Sequence, residues 1–223
     1  MNIKKLNLVS CIVVLSTLGV GFGIFHFLRL DENFDPYSYL PENAKIATIK
    51  PEIKKSFGEK GVQDAVIFND IDNDNKREVV IFYTLPRKIY GEDWANVLVL
   101  EEQDEGYKKL WEDKRSVAIS INPLSGVWDI NKDEKPEIVA ARWVGASFGG
   151  YLDIFQWDGS KFVKLNGGWN LKNDIRAIEL EDVDRDGVVE IIILHRFSYP
   201  DVYKWEKDKY SLYKEGRPYP AYK

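Results

Sequence analysis

Cysteine occurs once in these 223 residues, at Cys11, and histidine twice, at His26 and His195. A lone thiol inside an apolar stretch excludes disulfide staples within the chain, so the fold must hold by burial alone. With one histidine outside that stretch, no His-rich zinc pattern and no base beside a nucleophile can be drawn, and no glycine-rich phosphate loop is present. His195, within the apolar run 191–196, reads as a sheet residue rather than a general base. Basic residues are also short. With residues 1–30 set aside, 28 Lys and Arg face 36 Asp and Glu, a balance of −8, and nucleic-acid binding needs the opposite.

What the chain has instead is one short phrase written three times: Asp-Ile-Asp-Asn-Asp-Asn-Lys-Arg-Glu-Val at 70–79, Asp-Ile-Asn-Lys-Asp-Glu-Lys-Pro-Glu-Ile at 129–138 and Asp-Val-Asp-Arg-Asp-Gly-Val-Val-Glu-Ile at 182–191. Carboxylate or amide oxygens recur at the first, third, fifth and ninth places. Such oxygens can converge on one point, and a hard cation such as Ca²⁺ takes six to eight of them at about 2.3–2.6 Å. An EF-hand would need Glu at the twelfth place and a helix after it. The twelfth places hold Ile81, Ala140 and Ile193, in β-branched and aromatic runs that read as buried strands.

Each phrase is followed by two further apolar segments around a polar turn: 96–101 with 107–111, 151–157 with 161–165, and 201–205 with 209–213. The Trp157-Asp158-Gly159 turn is a strong hairpin signal. Four strands per unit is the size of one propeller blade. The first aspartates lie 59 and 53 residues apart, blade-like spacing once loop insertions are allowed.

The pattern Asp-x-Asp-x-Asp-Gly-x-x-acid between two strands resembles the FG-GAP and VCBS repeats of integrin-alpha-type β-propellers and of many bacterial surface proteins, over roughly residues 61–215. The resemblance implies an all-β fold of three four-stranded antiparallel blade-like repeats, at about 61–115, 116–170 and 171–223, forming a partial or small propeller. Three repeats are fewer than the 4–8 blades of a familiar closed propeller. The array can be an arc, can use a strand near residues 44–50 to complete an edge, or can self-associate.

The resemblance also implies Ca²⁺ ligands. The third copy is the most complete, with Asp182, Asp184, Asp186 and Glu190, and with Gly187 where the loop must turn. The first offers Asp70, Asp72, Asp74 and Glu78, with Asn75 at the turn. The second offers Asp129, Asn131, Asp133 and Glu137, but Glu134 stands at the turn and Pro136 at the exit. Glu closes all three loops where family loops often use Asp, so it reaches the ion differently or serves the loop backbone. The alternative is a metal-free turn, since Asp and Asn side chains cap nearby N–H groups unaided.

Lys4 and Lys5 precede residues 6–28, a run of 23 without a charge, which as a helix would span roughly 34 Å and cross a bilayer core of about 30 Å. Arg29, Asp31 and Glu32 end it. The charges predict a single-pass transmembrane signal-anchor over 1–30 with its amino terminus cytoplasmic and its carboxyl-terminal domain extracellular. Cleavage after Gly21 or Gly23, giving a secreted protein, and lipidation at Cys11 are the alternatives. Gly19 and Gly23 have the spacing of a helix-pairing motif, and His26 reads as an interfacial side chain. Residues 31–60, with Pro36, Pro41 and Pro51, read as a linker to the ectodomain at 61–223.

The insertion 143–150 is rich in glycine. Trp143 and Tyr151 beside it offer stacking faces for a sugar or a peptide, and the competing reading is a hairpin between the second and third strands of the middle unit. The expectation is thus a non-enzymatic, calcium-supported binding or scaffolding module on a bacterial-type cell membrane, with an unidentified surface protein or glycan as partner. The alternatives are a surface polysaccharide hydrolase, which needs only two suitably spaced acids, or a structural subunit of an envelope complex.

Overall fold

The computed structural model describes residues 34–47, 65–86, 93–104, 106–114, 120–121, 125–144, 149–166, 169–171, 175–196 and 198–215. The segment 6–28, with Cys11, Gly19, Gly23 and His26, and the centre of the glycine-rich insertion at 145–148 lie outside them. Among the described residues no helix is long and apolar enough to cross a membrane; the expected transmembrane helix falls outside them. Asp35–Lys223 form one compact unit, and among its described residues all regular structure except a 3-10 turn at Pro36–Tyr39 is strand.

The first sheet contains β1 (Lys45–Ile46), β2 (Val66–Asn69), β3 (Glu78–Pro86), β4 (Asp93–Gln103) and β5 (Gly106–Asp113). The second contains β6 (Ser120–Ile121), β7 (Gly126–Trp128), β8 (Glu137–Val144), β9 (Gly149–Trp157), β10 (Phe162–Lys164) and β11 (Trp169–Leu171). The third is β12 (Ile175–Glu181), β13 (Glu190–His195), β14 (Asp201–Glu206) and β15 (Lys209–Lys214), hydrogen-bonded in that order. All pairings are antiparallel. Each sheet is four ribbons wide, as the sequence predicts, but some ribbons are split. β1 and β2 lie end to end on one edge of β3, pairing with residues 83–84 and 78–81. β6 and β7 divide the corresponding edge of β8, and β10 and β11 divide the far edge of β9. The early strand does complete an edge, and it sits within the stretch 31–60 read as a linker. The sheets are open; among the described residues none closes on itself.

The order of packing follows from residue parity. Along a strand, successive side chains point to opposite faces. Ile138 and Ala140 of β8, with Phe155 of β9, pack against Val80, Phe82, Val97 and Val99 of the first sheet. Their neighbours Val139, Ala141, Leu152 and Ile154 pack against Ile178, Ile191, Ile193 and Tyr210 of the third. The middle sheet is therefore buried on both faces, which is why its strands read as unbroken apolar runs instead of alternating ones. Trp111 reinforces the first junction, its ring 4.8 Å from Phe155 and 4.7 Å from Phe162.

A buried charge cluster enters that junction. Arg142, with 1% exposure, donates to Ala95 O at 3.1 Å, to Asp153 at 2.7 Å and to Asp113 at 2.6 Å. Asp153 is itself fully buried and also accepts from Lys164 Nζ at 2.8 Å. The insertion closes as a β8–β9 hairpin in which Trp143 and Gly150 are cross-strand partners. The Trp157-Asp158-Gly159 turn forms as predicted, with Asp158 Oδ1 accepting from the amides of Ser160 and Lys161, each at 2.9 Å.

Candidate metal centres

The three acidic phrases are the turns β2–β3, β7–β8 and β12–β13, and they share one backbone geometry. Places four and six are left-handed in each: Asn73 and Asn75 (φ 61° and 67°), Lys132 and Glu134 (63° and 68°), Arg185 and Gly187 (64° and 91°). Only Gly187 adopts this without steric penalty. Glu134 takes the same turn despite its side chain, so the second loop is not distorted by it, nor by Pro136.

Side chains fix the turn. The first-place aspartate accepts from the sixth-place amide in every copy: Asn75 to Asp70 at 3.1 Å, Glu134 to Asp129 at 3.3 Å and Gly187 to Asp182 at 3.0 Å. The third-place residue accepts from the fifth-place amide, and the fifth-place carboxylate accepts from the amide two residues on, Lys76, Lys135 and Val188. These are Asx-type turns that need no ion to form.

The closing glutamates serve the loop backbone. Glu78, Glu137 and Glu190 are 1%, 0% and 2% exposed, and one oxygen of each accepts from the second-place amide, Ile71, Ile130 and Val183, at 2.7, 2.8 and 2.8 Å. The longer Glu thus reaches back across the turn, and each keeps one oxygen within 4.8 Å of the acids of its loop. Burial pushes the Glu78 carboxyl up to about 7, opposed by the Ile71 amide and helped by Asp72 and Asp74. Burial raises Glu137 to about 8, again opposed by its amide and helped by Asp133 and Asp129. Asp72 is also raised, by burial and then by the charge of Asp74.

Oxygens gather as the spacing predicts, though not from every place. Asp70, Asp72 and Glu78 form one triad, Asp129, Asp133 and Glu137 a second, and Asp182, Asp184 and Glu190 a third, the ligand atoms within each lying within 4.8 Å of one another. Two oxygens on opposite sides of a Ca²⁺ stand about 4.6–5.2 Å apart. The triads have the size of a hard-cation shell. Asp74 and Asp186 stand outside them, their carboxylates turned to the amides of Lys76 and Val188. Asn131 is buried and accepts from Asp133 N at 3.0 Å. Asp129 Oδ1 and Asp182 Oδ1 are buried with no protein partner, as is Asn131 Nδ2, so the second and third loops each keep one acceptor for a positive charge, whether an ion or a side-chain ammonium.

The loops sit in a row. Asn73 Nδ2 donates to Glu134 O at 3.4 Å, joining first to second, and Val189 N donates to Ile130 O at 2.9 Å, joining second to third. Beside the first loop lies an open groove of about 510 Å³ lined by Lys76, Glu101, Gln103 and Tyr107.

Two contacts escape a reading of the phrases alone. Gln156 Nε2 donates to Asp133 Oδ2 at 2.8 Å and Glu137 Oε1 at 2.6 Å. Lys204 Nζ binds Asp184 and lies 3.3 Å from Glu190. The bond from Lys204 holds the Asp184 carboxyl below its ordinary range, and the same bond raises the lysine. Both side chains come from the next strand, and only the hairpin register brings them to the loop. In comparisons with known proteins, no family model matches the chain and no curated relative matches it in sequence.

Proposed function

We propose that this chain is a non-enzymatic binding or scaffolding module of the FG-GAP/VCBS type, steadied by Ca²⁺ and held on the outer side of a bacterial-type cell membrane by its N-terminal apolar segment. The observation that carries the reading is the threefold carboxylate triad, each closed by a buried glutamate and set in line with its neighbours. Asp70, Asp72 and Glu78 would hold the ion in the first loop, and Asp129, Asp133 and Glu137 in the second. A bound ion would supply the positive charge that crowded carboxylates need to stay ionised at neutral pH. Adjacent sheets share their cores and adjacent loops share hydrogen bonds, so ions in the loops would steady the surface a partner meets. That partner is an envelope protein or glycan.

The test is a calcium titration of the full-length chain, with Mg²⁺ as control, following the melting temperature. The melting temperature should rise, with half-saturation at about 10⁻⁴–10⁻³ M as in extracellular modules. An unchanged melting curve at several millimolar Ca²⁺ ends the calcium reading. Pull-down from membranes with and without chelator tests the partner, whose capture should depend on calcium.

A further inference from the structure

The residue directly across the sheet from each closing glutamate differs in charge. The β8–β9 register, with Ile138 opposite Phe155, sets Glu137 against Gln156 at the next step. The β13–β14 register, with Ile191 opposite Tyr203, sets Glu190 against Lys204, and β3–β4, with Val79 opposite Leu100, sets Glu78 against Glu101. Directly opposed residues of an antiparallel pair share a face with side chains in contact range. Equivalent places around three similar loops thus carry an anion, a neutral amide and a cation.

In the third loop that cation is seated on the triad. Lys204 Nζ contacts Asp184 and Glu190, two of its three carboxylates, while Asp182 accepts from the Gly187 amide. Its stem is held in place, the side chain being 21% exposed with the ammonium 4.8 Å above the Tyr213 ring. In the second loop the uncharged Gln156 amide reaches the closing Glu137 as Lys204 reaches Glu190, and its other bond goes to the fifth-place Asp133 where Lys204 takes the third-place Asp184. In the first loop the opposed residue Glu101 is itself an acid, its Oε2 accepting from Gln103 at 3.2 Å, and its charge acts on Asp72 of the triad where the third loop has a cation.

We infer that Lys204 is the third loop's built-in cation, so that this loop keeps its shape without metal, and that the residue opposite the closing glutamate decides which loop depends on an ion. The second half rests on the calcium reading above, and it ranks the first loop ahead of the third although the third has the fuller motif. A lysine on two carboxylates of a triad excludes a divalent ion by occupying its position and by like-charge repulsion.

Hydrogen exchange on the full-length chain in EDTA tests Lys204 independently of calcium. The amides of residues 183–188 should exchange roughly tenfold faster in Lys204→Gln than in the wild type, the scale expected when charge-assisted bonds are lost. Residues 71–76 should be unaffected, and Lys204→Arg should retain most of the protection. Unchanged exchange at 183–188 in Lys204→Gln overturns the assignment. Calcium stoichiometry tests the ranking: Asp182→Asn should leave the number of ions bound by the wild type unaltered, and Lys204→Glu should add one. Loss of an ion in Asp182→Asn, or no gain in Lys204→Glu while the first loop binds, overturns the ranking. A chain that takes up no calcium at all defeats the preceding section's reading, and the EDTA exchange still decides the role of Lys204.

Discussion

Ile130 and Val183 hold the same second place in successive acidic loops, yet Ile130 is 2% exposed and Val183 is 56% exposed. Ile130 is part of the core between the second and third sheets, as Ile71 is between the first and second. Each loop therefore pushes its second residue into the junction ahead of it, and Val183 lies where the array ends.

Truncation should separate these positions. Ile71→Ala and Ile130→Ala should each cost about 2–5 kcal/mol through lost burial and a residual cavity. Val183→Ala should stay within about 0.5 kcal/mol. Urea denaturation of the three variants checks this, and a comparable loss at Val183 would show a covered end.

Arg142 should be far less tolerant of change than its charge suggests. Arg142→Met takes the guanidinium away from the buried Asp153, and breaking a buried pair on one side typically costs about 3–5 kcal/mol, or roughly 10 °C in melting temperature for a chain of this size. Arg142→Lys should recover little of it, because an ammonium cannot reach Ala95 O, Asp113 and Asp153 as the guanidinium fork does. Thermal melts of both variants are the measurement.

Glu78 and Glu137, at about 7 and 8, keep their protons in the folded chain where the unfolded chain, at an ordinary 4.5, has lost them. The folded state then binds more protons, so these groups stabilise it fully at about pH 4.5 and below. That contribution is lost as pH rises through about 7–8. In EDTA the melting temperature should fall by several degrees between about pH 5 and pH 8.5, and the double variant Glu78→Gln, Glu137→Gln should flatten the fall. A rise over that range in the wild type, reversed in the double variant, would contradict the assignment.

Glu134 turns through φ 68° with a full side chain, where Gly187 does the same freely. A left-handed non-glycine residue costs roughly 1–2 kcal/mol. Glu134→Gly should accordingly stabilise the chain by about 1 kcal/mol, less the added entropy of an unfolded glycine, seen as a higher denaturation midpoint with unchanged slope.

The strand order was legible because both signals it depends on are local. Unbroken apolar runs such as 138–141 mark strands covered on both faces, and the Asp and Asn spacing marks the bends between them. Lys204 and Gln156 were not legible as loop residues. They reach the acids through hairpins of unequal length, Glu190 to Lys204 being shorter in sequence than Glu137 to Gln156, so no fixed offset flags them. The left-handed fourth place was hidden for another reason: Lys132 and Arg185 are not residues whose chemistry announces such a turn. The divided ribbons escaped because strands of two or three residues, such as β6 and β11, are too short to show a period. Arg142 gives no local signal of its role, since its carboxylate partners stand 11 and 29 positions away.

The first strand has a mechanical consequence. Among the described residues β1 grips β3 through two paired residues, Lys45 with Thr84 and Ile46 with Tyr83, plus the bonds from Ala47 N to Phe82 O and from Thr84 Oγ1 to Lys45 O. Tension on the chain ahead of Lys45 would load that short clasp before the long β3–β4 ladder behind it. It should peel away first, leaving the three acidic bends and the cores between the sheets undisturbed.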